Sequence, residues 1–359
     1  MSERKWRVVI VDDSALVRRV LSDAIASAPD LEVVGTAPDA VVAQRLLTEL
    51  KPDVITLDVE MPGMDGITFL RKMMAGPRPV PAIIVSSLAL AGCRTALEAL
   101  EAGAVDLVAK PGKLSSLADL RSDLINKVRA AAQARITTLP VPAVRPAPKK
   151  ELPLPPRVGS FPPVVVAIGA STGGTEAIRQ VLQDLPALTP PIVIVQHIPP
   201  HFSKAFANRL DQLCAMRVKE AEEGDALAPG LVLIAPGDFH MSVEENGRGL
   251  FVRLTQTEKV CYQRPAVDVL FNSMARLKRS RCVGVVLTGM GSDGAEGLAR
   301  MRKAGARTLV QDEATSVVYG MPRQALLAGG AERSAPLGQI GRLMLTVASS
   351  TSPSLASVS

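Results

Sequence analysis

Nine of the chain's 28 prolines fall between residues 140 and 163. Proline fixes φ and carries no amide donor, so it interrupts helices and sheet ladders alike. A stretch this dense in proline is predicted to be an extended, semi-rigid linker, over 138–163. It obliges the 359 residues to fold as separate pieces. A block of about 137 residues precedes it and one of about 186 follows, each of ordinary domain size. The tail at 349–359 is rich in serine and is expected to be disordered.

Composition narrows the function classes. The chain is 47% hydrophobic and 21% charged, an ordinary globular balance. It has 7 Phe, 2 Tyr and 1 Trp, too few for a surface that stacks nucleobases. The net charge of +6 is spread thinly: 17 basic and 17 acidic groups in residues 1–137, 4 and 1 in 138–163, 20 and 17 in 164–359. Neither large block is strongly basic, which argues against nucleic acid or anionic lipid as a partner. The basic run Arg276, Lys278, Arg279 and Arg281 reads as a solvated helix face. Cys93, Cys214, Cys261 and Cys282 form no C-x-x-C pair, so neither a disulfide framework nor a structural zinc site is expected. No apolar run approaches the ~20 residues of a membrane span. The N-terminus leads straight into a strand-like segment rather than a secretory signal. The expectation is a reduced, cytoplasmic protein without membrane insertion.

The first block alternates strand and helix signals. Apolar runs at Arg7–Val11, Leu31–Thr36, Val54–Leu57, Ala82–Val85 and Asp106–Ala109 are separated by helical patterns near Ala15–Ala28, Asp39–Leu50, Ile67–Met74, Arg94–Glu101 and Leu117–Arg135. Five such units predict a five-stranded, parallel, doubly wound α/β sheet. In such sheets the site lies at the carboxyl ends of the strands. Asp12 and Asp13 close the first strand, Asp58 the third, Ser86 the fourth and Lys110 the fifth. Aspartates also end strands simply to form turns. Converging carboxylates, however, invite a hard divalent cation, most naturally Mg²⁺. A carboxylate beside it can act as nucleophile toward a phosphoryl group. Lys110 would bind the phosphoryl oxygens and Ser86 would donate to them.

The motifs Val11-Asp12-Asp13-Ser14, Leu57-Asp58-Val59-Glu60-Met61-Pro62-Gly63, Val85-Ser86-Ser87 and Lys110-Pro111 resemble the response-regulator receiver family, over residues 5–130. The resemblance implies phosphotransfer from a histidine kinase to Asp58, with Mg²⁺ held by Asp12, Asp13 and Asp58. Leu107 stands where receivers usually carry an aromatic, so a switch built on an aromatic rotamer is not expected there.

The second block repeats the α/β grammar less regularly. Val164–Ile168, Ile192–Gln196 and Val283–Leu287 read as buried parallel strands. Thr175–Gln183, Ser203–Leu213 and Gly294–Ala304 read as helices. Leu231–Ala235, Met241–Val243 and Leu250–Leu254 suggest an antiparallel excursion. The first strand runs into Gly169-Ala-Ser171-Thr-Gly173, a G-x-S-x-G turn that puts a serine before a helix N-terminus. A glycine-rich turn there could instead cradle a phosphate. A dinucleotide site lacks its acid, because the next strand ends Val195-Gln196-His197. His197 falls at the same sheet edge as Ser171 and is the candidate base; His201 and His240 are the rivals. Asp293, in Thr288-Gly-Met290-Gly-Ser-Asp293-Gly, could orient the imidazole or merely cap the helix that follows it.

The order Ser, His, Asp differs from those of chymotrypsin, subtilisin and the α/β-hydrolases. Residues 164–348 resemble the catalytic domain of the chemotaxis protein-glutamate methylesterase (CheB) family. The segments that carry this are Ile168–Gly174, Val195–Pro200, Ala235–Gly237 with His240, and Leu287–Gly294. The resemblance implies hydrolysis of γ-glutamyl methyl esters on methyl-accepting chemotaxis receptors, deamidation of selected receptor glutamines, and activation by a histidine kinase. It implies Ser171 as nucleophile, His197 as base, Asp293 as orienter, and backbone N–H groups near Thr172 and Met290 for the oxyanion. The hydrolase needs no cofactor, and a monomer is expected. The competing readings are a phosphorylation-controlled binding module without catalysis and a DNA-binding regulator. The first would have lost the nucleophile or base, and the second lacks a small basic helix-turn-helix block.

Overall fold

The computed structural model describes residues 4–87, 90–110, 117–135, 164–247, 249–278 and 281–349. The linker expected at 138–163 lies outside these residues, and so does the C-terminal tail expected at 349–359 except for Ser349, which is helical. The chain divides into two units, Met1–Val141 and Pro142–Ser359.

The first unit runs β1 (Trp6–Val11), α1 (Ala15–Ala26), β2 (Leu31–Ala37), α2 (Ala40–Leu50), β3 (Val54–Asp58), α3 (Gly66–Met74), β4 (Ala82–Ser86), α4 (Leu90–Glu101), β5 (Asp106–Ala109) and α5 (Leu117–Ala132). α1, α2 and α3 start where side-chain oxygens can take an orphan amide. Asp39 accepts the Val42 N–H at 2.8 Å and Asp65 the Thr68 N–H at 2.8 Å. The strands are parallel in the order β2-β1-β3-β4-β5. β3 and β4 are buried along their whole length, as strands covered on both faces must be. The direction of winding reverses between β1 and β3, so Asp12 and Asp58 flank the crevice that this topology opens. Leu107 is packed in the core of β5, opposite Ile84.

The second unit runs β6 (Val164–Ala170), α6 (Gly174–Gln183), β7 (Ile192–Gln196), α7 (Phe202–Leu213), β8 (Arg217–Glu220), β9 (Leu231–Ile234), β10 (His240–Asn246), β11 (Gly249–Thr255), α8 (Val267–Met274), β12 (Arg281–Val286), α9 (Ala295–Lys303), β13 (Arg307–Gln311), α10 (Met321–Leu327), β14 (Arg333–Ala335) and α11 (Leu337–Ser349). Seven strands form one parallel sheet, β14-β13-β12-β6-β7-β9-β8. The chain leaves β6 toward β7 on one side and later returns to build β12 on the other. β6 therefore borders the switch point, and its carboxyl end is where a site belongs.

Two sequence expectations are corrected. Of the three runs read as an antiparallel excursion, β10 and β11 form an antiparallel hairpin, whereas residues 232–234 of β9 pair parallel with residues 192–194 inside the main sheet. Arg276 and Lys278 lie after the end of α8 and Arg281 opens β12, so these three members of the basic run do not form a helix face; Arg279 lies outside the described residues.

Candidate functional site

In the second unit, the ladder between β6 and β7 pairs Ala170 with Gln196 and continues one step, with the His197 N–H donating to the Ala170 carbonyl at 3.1 Å. Ser171 and His197 therefore leave adjacent strands side by side. The turn after Ser171 is not strained at the serine. Gly173 takes the left-handed φ of +76°, where a side chain would be disfavoured, and α6 starts at the next residue. The Gly174 N–H closes the turn onto the Ser171 carbonyl at 2.7 Å.

The strand on the other side of β6 brings a second loop to the serine. The Ser171 N–H donates to the Thr288 carbonyl at 3.0 Å. The Thr288 hydroxyl lies 3.0 Å from the Thr172 carbonyl oxygen and accepts the Val318 N–H at 2.9 Å. Gly289 follows, so close that a Cβ there would meet the Ser171 Cβ at 2.7 Å and the Met321 Sδ at 2.3 Å. Only glycine lets the two loops touch. Met290, next in sequence, has a backbone N–H with no hydrogen-bond acceptor among the described residues. An amide so placed can serve a developing oxyanion.

His197 Nε2 lies 2.8 Å from Asp293 Oδ2. The carboxylate accepts, so Nε2 carries the proton and Nδ1 is the basic nitrogen. Both side chains are buried, at 6% and 3% exposure, which protects the pair from competition by water. Asp293 is itself fixed: Oδ2 also accepts the Val267 N–H at 2.7 Å, and Oδ1 the Asp268 N–H at 2.9 Å. These are the first amides of α8, so Asp293 caps α8. It does not cap the helix that follows it, whose N-cap is Gly294.

The rival histidines fall away. His240 is fully buried, with Nε2 against the Glu258 carbonyl at 2.9 Å and Nδ1 accepting the Ala266 N–H at 3.2 Å, so neither nitrogen is left for chemistry. His201 is exposed at the N-cap of α7.

Two contributors escaped the sequence reading. Gln196 donates from Nε2 to the Ser171 carbonyl at 2.9 Å and the His197 carbonyl at 3.1 Å. A polar residue ending a run of four apolar ones was the available signal. Asp268 is buried behind Asp293 and accepts the Gly297 N–H at 2.7 Å. Burial pushes its carboxyl up to about 6, with the charges of Asp293 and Glu296 adding and the Gly297 and Gly294 amides opposing. Its signal was a carboxylate within the apolar run that opens α8, Val267-Asp268-Val269-Leu270-Phe271.

In the first unit, the predicted residues also meet. Lys110 Nζ donates to Asp58 Oδ2 at 2.6 Å and lies 3.5 Å from Asp12 Oδ2. Burial alone would lower the lysine pKa, but the hydrogen bond and charge of Asp58 outweigh it and the net shift is upward. Burial raises the Asp12 carboxyl; Lys110 opposes this and the Asp58 charge adds to it. Ser86 Oγ donates to the Gly92 carbonyl at 3.1 Å. Carboxylate oxygens of Asp12, Asp13 and Asp58 lie within 4.8 Å of one another. Asp12 Oδ2 is buried and makes no hydrogen bond. An orphaned buried oxygen in an all-oxygen donor set fits a hard cation such as Mg²⁺.

Residues 166–344 match the family model "CheB methylesterase" and residues 8–121 the model "Response regulator receiver domain". The protein-glutamate methylesterase/protein-glutamine glutaminase 2 of Rhodospirillum rubrum is 50% identical over 357 residues, covering 95% of this chain and 98% of that protein. The protein-glutamate methylesterase/protein-glutamine glutaminase of Bordetella bronchiseptica is 49% identical over 346 residues, covering 96% and 97%. The crystal structure of the Thermotoga maritima CheB methylesterase catalytic domain matches with a TM-score of 0.50 at 38% identity, covering 51% of this chain and 97% of that one.

Proposed function

The chain belongs to the CheB methylesterase family and carries a response regulator receiver domain ahead of the esterase domain; from that premise we propose a phosphorylation-activated protein-glutamate methylesterase that also deamidates glutamine, acting on methyl-accepting chemotaxis receptors in the cytoplasm. The observation that carries this reading is the 2.8 Å contact of His197 with Asp293 at the strand end beside Ser171. A binding module without catalysis is not favoured, because nucleophile, base and orienting carboxylate are all present and juxtaposed.

In the reaction, Ser171 Oγ attacks the γ-carbonyl of a glutamyl methyl ester while His197 Nδ1 takes its proton. The Met290 N–H faces the oxyanion. The tetrahedral adduct collapses and methanol leaves with the proton held on His197. Water, deprotonated by His197, then attacks the acyl-serine, and the proton returns to Ser171 as the glutamate carboxylate departs. Deamidation follows the same course with ammonia as the leaving group. Asp293 holds the imidazole in the tautomer that leaves Nδ1 basic.

The receiver supplies the control. Asp58 is the phosphoacceptor and a histidine kinase the donor; Lys110 and Ser86 bind the added oxygens. Asp12, Asp13 and Asp58 would hold Mg²⁺, which neutralises charge on the incoming phosphoryl group. No helix among the described residues is long and apolar enough to cross a membrane.

The test is methanol release from methylated receptor membranes, with and without acetyl phosphate and Mg²⁺. A phosphodonor is expected to raise the rate by roughly 5–150-fold, the usual range of a coupling free energy. The Asp58→Asn variant is expected to show no such rise. A wild-type protein that releases no methanol under either condition contradicts the reading.

A further inference from the structure

We infer that Gln196 is a positioning residue of the esterase site: its side-chain amide ties the backbone of the nucleophile to that of the base. The inference rests on the esterase reading of Ser171 and His197.

Gln196 ends β7 and is 2% exposed. Its Nε2 has two protons, and each has a carbonyl to meet: Ser171 O at 2.9 Å and His197 O at 3.1 Å. Both partners only accept, so the amide orientation is set by its surroundings. The other end of the amide is the informative one. Gln196 Oε1 is buried and has no hydrogen-bond partner. It lies against Gly174, the first residue of α6, where a Cβ would come within 2.1 Å of it. A buried acceptor without a donor is a cost, only softened by the positive end of α6 beside it. A methionine of similar length would fill the same space with no orphan oxygen. What the amide supplies in return is the bridge.

The bridge acts on the two backbones that catalysis must keep in register. The Ser171 carbonyl is held from two sides, by Gln196 and by the Gly174 N–H at 2.7 Å. The His197 peptide is held by its N–H on Ala170 and by its carbonyl on Gln196. Released from the bridge, both turns can shift by fractions of an ångström. A displacement that leaves the fold intact still separates Oγ from Nδ1 in the attacking geometry.

The experiment uses the full chain and the variant Gln196→Met, with three readouts: methanol release, the rate at which a fluorophosphonate labels Ser171, and the melting temperature. The phosphonate needs an activated serine but no receptor docking. We expect kcat and the labelling rate to fall together by about 10–100-fold, the upper figure being what a misplacement of about an ångström costs and smaller shifts costing less. KM should stay within about twofold of wild type, because an interaction felt only in the transition state lowers kcat and kcat/KM equally. Gln196→Asn, whose shorter arm reaches one carbonyl at most, covers a Met variant that fails to fold: an intermediate loss at unchanged KM supports the bridge. Unchanged labelling of the folded protein in either variant, or a loss carried by KM alone, overturns the inference. A wild-type protein that the phosphonate does not label at Ser171 would instead overturn the esterase reading beneath it.

Discussion

Asp293 and Asp268 each hold the other's helix. Asp293, just ahead of α9, accepts the Val267 and Asp268 amides at the start of α8. Asp268, in α8, accepts the Gly297 amide in the first turn of α9. The carboxylate that hydrogen-bonds to His197 is thus also the point at which the two helices are joined, so the placement of the imidazole and local stability are coupled.

That coupling sets the expectation for Asp293→Asn. Three donors converge on the two oxygens of Asp293: the imidazole Nε2–H and two amides. An asparagine offers one oxygen and an NH₂ that must face at least one donor. The imidazole loses its tautomer control, and methanol release should drop on the order of 10⁴-fold. The unmet amide should also cost about 1–3 kcal/mol of stability, visible as a lower urea midpoint. An active, equally stable variant would contradict both roles.

Asp268 predicts a pH signature. Its carboxyl is raised from an ordinary 3.8 to about 6 in the folded chain, chiefly by burial. The folded state therefore binds the proton more tightly than the unfolded state does. The stabilisation is complete below pH 3.8 and is lost as pH rises through 6. Two units correspond to about 3 kcal/mol between acid and neutral pH. Asp268→Asn keeps an oxygen for the Gly297 amide and removes the charge. Its stability relative to wild type should rise between pH 4 and pH 7 and level off above. A difference that is flat with pH would show that Asp268 ionises in the folded chain as freely as in the unfolded one.

Gly289→Ala tests the contact of the two loops. The added methyl would meet the Ser171 Cβ at 2.7 Å and the Met321 Sδ at 2.3 Å, so the serine and the Met290 amide must part. Esterase activity should fall by about 10²-fold or more, with Asp58 phosphorylation from acetyl phosphate unchanged. Equal losses of both activities would point to general misfolding.

In the receiver, Lys110→Ala leaves the buried Asp12 and Asp58 without their cation. Removing one partner of such a group typically costs about 3–5 kcal/mol. Millimolar Mg²⁺ should restore part of the loss, because the cation takes over the charge of the missing ammonium. A melting temperature that is lowered but indifferent to Mg²⁺ would argue against a cation among Asp12, Asp13 and Asp58.

Much of this was legible in the sequence because strand ends carry the chemistry. The apolar runs that end in Asp12, Asp58, Ser86 and Lys110 became β1, β3, β4 and β5 almost residue for residue. The runs ahead of Ser171 and His197 became β6 and β7. What escaped was non-local. Short β8 and β14 carry little periodicity, and their place at the two edges of the sheet is set by pairing with β9 and β13. The orienting role of Asp293 was readable, but the only capping role that local sequence offered was for its own helix; local sequence gives no view of α8, which lies some 25 residues earlier in the chain. The bridge made by Gln196 was hidden for the same reason: it joins the carbonyls of the residues that follow two different strands.

The central claim is that Ser171, served by His197 and Asp293, is the nucleophile of a methylesterase. The most direct measurement is methanol released from glutamate-methylated receptor membranes by the phosphodonor-treated wild type and by Ser171→Ala. Release by the wild type and none above background by the variant, with the variant still phosphorylated at Asp58, is the predicted result. Release by Ser171→Ala at near the wild-type rate would contradict it.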